Sequence, residues 1–165
     1  MENLILNHNQ IQHKIKRIAY QIYEANVDED EIIIAGIEGG GLKLANKIVT
    51  LLKKITEAKI SLCKVKMDKK NPLESGVNTS MPETDYRNKS IVLIDDVLNS
   101  GTTLIYGVHH FLKTPIKQLK TAVLVNRNHK KYPVKADYKG ISLSTSLHEH
   151  VHVEFNPKNY SVRLD

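Results

Sequence analysis

The chain has a single cysteine, no tryptophan, and only seven tyrosines and two phenylalanines among its 165 residues. One thiol, Cys63, excludes an intrachain disulfide and any metal site built from several cysteines, and its apolar neighbour Leu62 marks it as a buried, structural thiol. The sparse aromatics do not interleave with the lysines, which argues against a stacking platform for single-stranded nucleic acid. No apolar run approaches the roughly 18 residues of a membrane span. The opening segment MENLILNHNQ lacks the basic flank and apolar stretch of a signal peptide, so a soluble cytoplasmic protein without a membrane partner is expected. Runs of five like charges, internal repeats and low-complexity tracts are also missing.

What the chain has in excess is positive charge, +6 with a pI near 9.3. Lysines cluster loosely at Lys64, Lys66, Lys69 and Lys70, and basic residues again at Arg127, Lys130, Lys131 and Lys135. Two readings compete. The excess attracts a polyanion, either a phosphorylated metabolite or nucleic acid, with a salt-sensitive field. Alternatively the lysines only solvate the surface. The length suits one domain spanning residues 1–165 with one core.

Ile11, Ile15, Ile18 and Ile22 recur at helical spacing, predicting an amphipathic helix that ends near Asn26. The continuous apolar run Ile32 to Ile37 then reads as a buried strand, closed by Gly39, Gly40 and Gly41 and followed by helical periodicity in LKLANKIVTLLKK. KISLCKVKM, Lys59 to Met67, alternates like a strand. From Asp68 to Lys89 periodicity disappears, and a loop of that length in a compact domain points to a functional segment such as a lid, or to partial disorder, with a dispensable surface insertion as the alternative. Ser90 to Ile94 is a second apolar strand, Thr102 to Leu112 a helix, and Leu119 to Asn126 a third strand. Shorter strands are predicted near Ala136 to Tyr138, Val151 to Phe155 and Tyr160 to Leu164. Apolar strands alternating with helices define an α/β fold, a central parallel sheet flanked by helices, whose ligands bind beyond the carboxyl ends of the strands. Both glycine-bearing turns lie at such ends.

In VLIDDVLNSGTTL a strand delivers two adjacent carboxylates, Asp95 and Asp96, and a polar turn leads into a helix. Helix-start amides, the small Gly101 and the hydroxyls of Ser100, Thr102 and Thr103 suit a phosphate monoester. Inward-facing carboxylates would repel that phosphate, so Asp95 and Asp96 better serve ribose hydroxyls or Mg2+ held through water. Helix capping by Asn99 or Ser100, with solvated aspartates, is the structural alternative.

The segment LIDDVLNSGTT resembles the signature of the type I phosphoribosyltransferases. The resemblance implies that Asp95 and Asp96 contact the ribose of phosphoribosyl diphosphate, that Asn99, Ser100, Gly101, Thr102 and Thr103 hold its 5-phosphate, and that a small hood is built from about residue 127 to 165. In this family the turn GIEGGG stands where the pyrophosphate loop lies, so Glu38, Gly39 and Gly40 are expected to offer backbone amides to the diphosphate. The pyrimidine-operon regulators usually carry lysine and arginine in that loop, which this chain lacks.

Ala122 to Phe155, AVLVNRNHKKYPVKADYKGISLSTSLHEHVHVEF, looks like the carboxyl half of the bifunctional pyrimidine-operon attenuation regulators, which also act as uracil phosphoribosyltransferases. Related 6-oxopurine enzymes carry an aspartate where Asn99 stands and a base-reading lysine where Asn126 stands. The implied reaction is Mg2+-assisted displacement of pyrophosphate from the activated ribose by a nucleobase, uracil by preference. Lys69 or Lys70 of the lid would neutralise the leaving group, and Arg127 would contact diphosphate or base. A homo-oligomer, dimer or tetramer, is expected for the fold, and a leader RNA is a second candidate partner. His148, His150 and His152 alternate, but no fourth ligand of suitable spacing accompanies them, so a hood contact or an exposed edge is expected rather than zinc.

Overall fold

The computed structural model describes residues 3–165; Met1 and Glu2, the start of the segment read for a signal peptide, lie outside the described residues. In chain order the elements are β1 (Asn3–Leu6), α1 (His8–Ala25), β2 (Glu31–Ile37), α2 (Gly40–Ile55), β3 (Lys59–Lys66), α3 (Pro72–Ser75), β4 (Asn78–Thr79), α4 (Glu83–Tyr86), β5 (Ser90–Leu98), α5 (Thr102–Leu112), β6 (Gln118–Arg127), β7 (Tyr138–Leu143), β8 (Val151–Asn156) and β9 (Asn159–Leu164).

The main sheet has the order β4-β3-β2-β5-β6-β7, parallel except for β4, which pairs antiparallel with β3. Strands buried on both faces read as continuous apolar runs, and Ile32, Ile33, Ile34, Ile91, Val92, Leu93 and Ile94 are all 0% exposed. One face packs the isoleucine stripe of α1 and the apolar side of α2, and the other receives Leu104 and Phe111 of α5 with Tyr86. Burying each such side chain contributes about 1.5 to 3 kcal/mol. A capping box between Asn7 and Gln10 starts α1, whose far end is tied to the sheet where Ser90 Oγ donates to Asn26 Oδ1 at 2.5 Å.

A second sheet, β1-β9-β8, is antiparallel and packs on α1 and α2. Lys47 of α2 donates to the Tyr160 hydroxyl at 2.6 Å and lies 4.1 Å from that ring's centroid, tying this sheet to the helical layer. No helix among the described residues is long and apolar enough to cross a membrane.

Three expectations need correction. The expected hood from residue 127 onward is smaller at its start and borrows from elsewhere: β7 joins the main sheet, while β1 from the opposite terminus pairs with β9. Ala136 to Tyr138 is mostly a connection, because Thr121 and Asp137 exchange hydrogen bonds that delay the strand until Tyr138. The stretch from Asp68 to Lys89 is not structureless. It folds into α3, β4 and α4, with Tyr86 buried and Val77 and Met81 packed on the core.

Candidate active site

The strand order sets the position of the crevice. The chain leaves β2 toward β3 on one side and returns through β5 toward β6 on the other, so the topological switch point lies between β2 and β5, where ligands of open α/β sheets bind. The last paired residues are Gly36 and Ile94. Beyond them the glycine turn and the acid pair emerge side by side.

Their contact is intimate. A Cβ placed on Gly40 would lie 2.0 Å from Asp96 Oδ2, and one on Gly41 would lie 2.7 Å from the Ile94 carbonyl oxygen. Any larger residue at position 40 would displace the Asp96 carboxylate, so the glycines let two backbone segments touch. The Asp95 carboxylate is buried and accepts from the Asp96 amide at 2.9 Å. Burial, then the neighbouring Asp96 charge, pushes its pKa up to about 8, opposed by the Lys69 ammonium at 4.0 Å.

The turn after β5 is built differently. Gly101 adopts φ 86° at the N-cap of α5, a left-handed conformation open to glycine, and being without a side chain it supplies no cap, while the Thr102 amide donates to Ser100 Oγ at 3.3 Å. Ser100 Oγ and Thr102 Oγ1 lie 2.8 Å apart. The Ser100 carbonyl accepts from the Lys131 amide at 2.7 Å, so the segment after β6 braces the loop from outside. Lys69, Asp95, Val97 and the run Leu98 to Leu104 line one cavity of about 240 Å³. A helix start, hydroxyls, a carboxylate and an ammonium around such a space can hold a sugar phosphate.

Most residues singled out in the sequence therefore converge. Asp95, Asn99, Ser100, Gly101, Thr102, Thr103 and Lys69 share the cavity, Asp96 abuts Gly40, and a Cβ on Gly39 would be 3.8 Å from Lys69 Nζ. Lys69, rather than Lys70, is the lysine that reaches the acids. Two residues behave otherwise. The Glu38 amide donates to the Val65 carbonyl at 2.8 Å, continuing the β2–β3 ladder, so it is already committed. Arg127 does not line the cavity, because its guanidinium is bonded to Asn99, Thr145, Ser146 and Glu149.

Among the described residues no group of three or more His, Cys, Asp or Glu side chains could hold a metal. His152 Nε2 lies 3.0 Å from Asp165 Oδ1 on an exposed edge, and His148 precedes β8 in an exposed turn. Sequence reasoning missed Thr145, Ser146 and Glu149, which hold Arg127; nothing local in the sequence marks them.

The strand order and the position of the crevice are those of an α/β protein of the type I phosphoribosyltransferase architecture. A family model for the phosphoribosyl transferase domain matches residues 3–159, and the chain belongs to that family. The bifunctional protein PyrR of Streptococcus pneumoniae is 32% identical over 149 residues, covering 87% of this chain and 84% of the relative. Among solved structures, a hypoxanthine-guanine phosphoribosyltransferase from Bacillus anthracis superposes with a TM-score of 0.72 at 19% identity, over 86% of this chain and 82% of the other. The hypoxanthine phosphoribosyltransferase of Trypanosoma cruzi gives 0.75 at 15% identity, over 86% and 81%.

Proposed function

We propose that the protein transfers ribose 5-phosphate from phosphoribosyl diphosphate to a nucleobase, with uracil the preferred acceptor. The single observation that carries this reading is the convergence of Asp95, Lys69 and the whole Asn99 to Thr103 turn on one small cavity at the switch point. The amides and hydroxyls of that turn bind the 5-phosphate, and the acid pair orients the ribose diol, so the sugar's anomeric carbon faces the glycine turn. Lys69, 46% exposed, places positive charge where the leaving diphosphate lies between Gly39 and Asp95.

Two adjacent carboxylates beside a phosphate cradle fit a hydrated Mg2+, which takes one or two carboxylates and completes its shell with water and substrate oxygens. When bound there it would neutralise diphosphate charge. The C1 to oxygen bond breaks as the bond from C1 to the base nitrogen forms, pyrophosphate leaves with the electron pair, and the base gives up its N–H proton to water. Asn99 carries no carboxylate to accept that proton. Uracil N1–H is acidic enough to need little help, which favours it over a purine, as does the likeness of Ala122 to Phe155 to the bifunctional pyrimidine-operon regulators.

A second reading, a nucleotide-sensing RNA-binding regulator, has its own observation. A groove of about 550 Å³ between α1 and α2 is lined by His13, Lys16, Lys47 and Tyr160 among others, and Lys43 and Phe155 extend it. Lys16 and Lys43 at this face, together with the net charge of +6, would attract a leader RNA, although Ile15 and Leu51 make much of the groove apolar.

Purified protein incubated with Mg2+, phosphoribosyl diphosphate and each nucleobase in turn is expected to release pyrophosphate fastest with uracil. No release with any base would sink the enzymatic reading. Phosphoribosyl diphosphate binding without turnover, combined with salt-sensitive, nucleotide-dependent retention of the leader RNA on filters, would favour the regulator alone.

A further inference from the structure

Arg127 ends β6 at 8% exposure, and its charge is consumed inside the protein. Its Nε donates to Thr145 Oγ1 at 3.0 Å and one terminal nitrogen donates to Asn99 Oδ1 at 2.9 Å. The other terminal nitrogen donates to the carbonyls of Glu149, at 2.7 Å, and Ser146, at 3.3 Å. One planar fork therefore grips the first residue of the phosphate loop with one arm and the connection between β7 and β8 with the rest. That connection, residues 144–150, is held further where the Thr145 amide donates to Asn128 Oδ1 and where His129 Nε2 lies 3.1 Å from Thr145 Oγ1.

A buried guanidinium cannot lose a proton, and leaving one of its arms unpaired is costly. Lysine could supply the charge but not the fork that spans four partners. Asn99 is exposed, and it is attached to a turn whose other function is to hold an anion. Fixing that turn fixes the Asn99 amide, and with it the guanidinium and the two carbonyls beyond.

We infer that Arg127 is a positioning residue that couples the phosphate loop to residues 144–150, so that a sugar phosphate on Asn99 to Thr103 stiffens a loop it does not touch. This rests on the phosphate-loop reading above. It assigns Arg127 no contact with diphosphate or base.

Hydrogen exchange on the full chain tests it, with and without Mg2+ and phosphoribosyl diphosphate, followed separately over residues 99–103 and 144–150. The expected result is slowing in both segments, at least threefold in 144–150. In Asn99→Ala, exchange at 144–150 should be at least threefold faster than wild type before ligand is added, and the ligand should no longer slow it. Asn99→Asp, which keeps an acceptor for the guanidinium, should restore coupling, while Arg127→Lys should not. Slowing in 99–103 alone would overturn the coupling and leave the phosphate loop standing. Slowing in neither segment would overturn both. An unchanged 144–150 in ligand-free Asn99→Ala, or failure of Asn99→Asp to restore coupling, would also overturn it.

Discussion

The two turns that meet at the switch point are opposites in construction. The turn Asn99 to Thr103 carries three hydroxyls, a helix start whose N-cap glycine offers no side chain, and external braces from Lys131 and Arg127. The turn Glu38 to Gly41 carries no basic side chain, spends one amide on the sheet, and has as its main property that Gly40 and Gly41 let the backbone touch Asp95 and Asp96. One turn is built to hold an anion; the other is built to come close. The nearest cation to the bare turn is supplied from outside it, by Lys69. Binding of the ribose phosphate half should therefore be robust, and binding of the diphosphate half weak and borrowed.

The largest expected effect removes the acids that both turns share. Above about pH 8, where Asp95 is ionised, Asp95→Asn with Asp96→Asn should lower pyrophosphate release roughly a thousandfold, since each charged hydrogen bond to the ribose is worth about 2 kcal/mol and 1.4 kcal/mol is tenfold. Next, Gly40→Ala puts a methyl group into Asp96 and should lower turnover by about a hundredfold, as misplacement by an ångström does. Its thermal stability should fall by only about 1 to 3 kcal/mol. If Gly40→Ala kept full activity, the close approach would have no functional meaning.

The buried carboxyl gives a stability prediction of opposite sign. The raised pKa of Asp95 means the folded state resists losing this proton. Its contribution is fully present below the unfolded value near 4 and is lost as pH rises toward about 8. Asp95→Asn escapes that loss. In thermal melts it should match wild type near pH 4 and melt at a higher temperature than wild type at pH 9. A lower melting point at pH 9 would show that the carboxylate is stabilised rather than strained. The smallest effect sharpens the contrast between the turns: Lys69→Ala should raise the KM for phosphoribosyl diphosphate, and Glu38→Lys should lower it, each by no more than about fivefold because both groups face solvent.

How much of this was legible in the sequence follows from which interactions are local. The apolar runs of β2, β5 and β6 and the isoleucine spacing of α1 depend only on burial, so their boundaries lie within a few residues of expectation. β5 runs further than Ile94, through the aspartates to Leu98, because β6 continues beside it. β1 went unseen, since four residues pair with a strand at the other end of the chain. The folded pieces between Asp68 and Lys89 also escaped notice, because α3, β4 and α4 are too short for periodicity and exist by packing Pro72, Met81 and Tyr86 on the core. Asp95, Asp96 and the phosphate turn were legible because one contiguous segment carries them. The commitment of Arg127 was not, as its partners lie 18 to 28 residues away.

The difference between the two turns is tested most directly by calorimetric titration of the wild-type protein with ribose 5-phosphate and, separately, with pyrophosphate in the presence of Mg2+. The predicted result is tighter binding of ribose 5-phosphate, weakened at least tenfold by Asp96→Asn. Tight pyrophosphate binding with no detectable ribose 5-phosphate binding would contradict it.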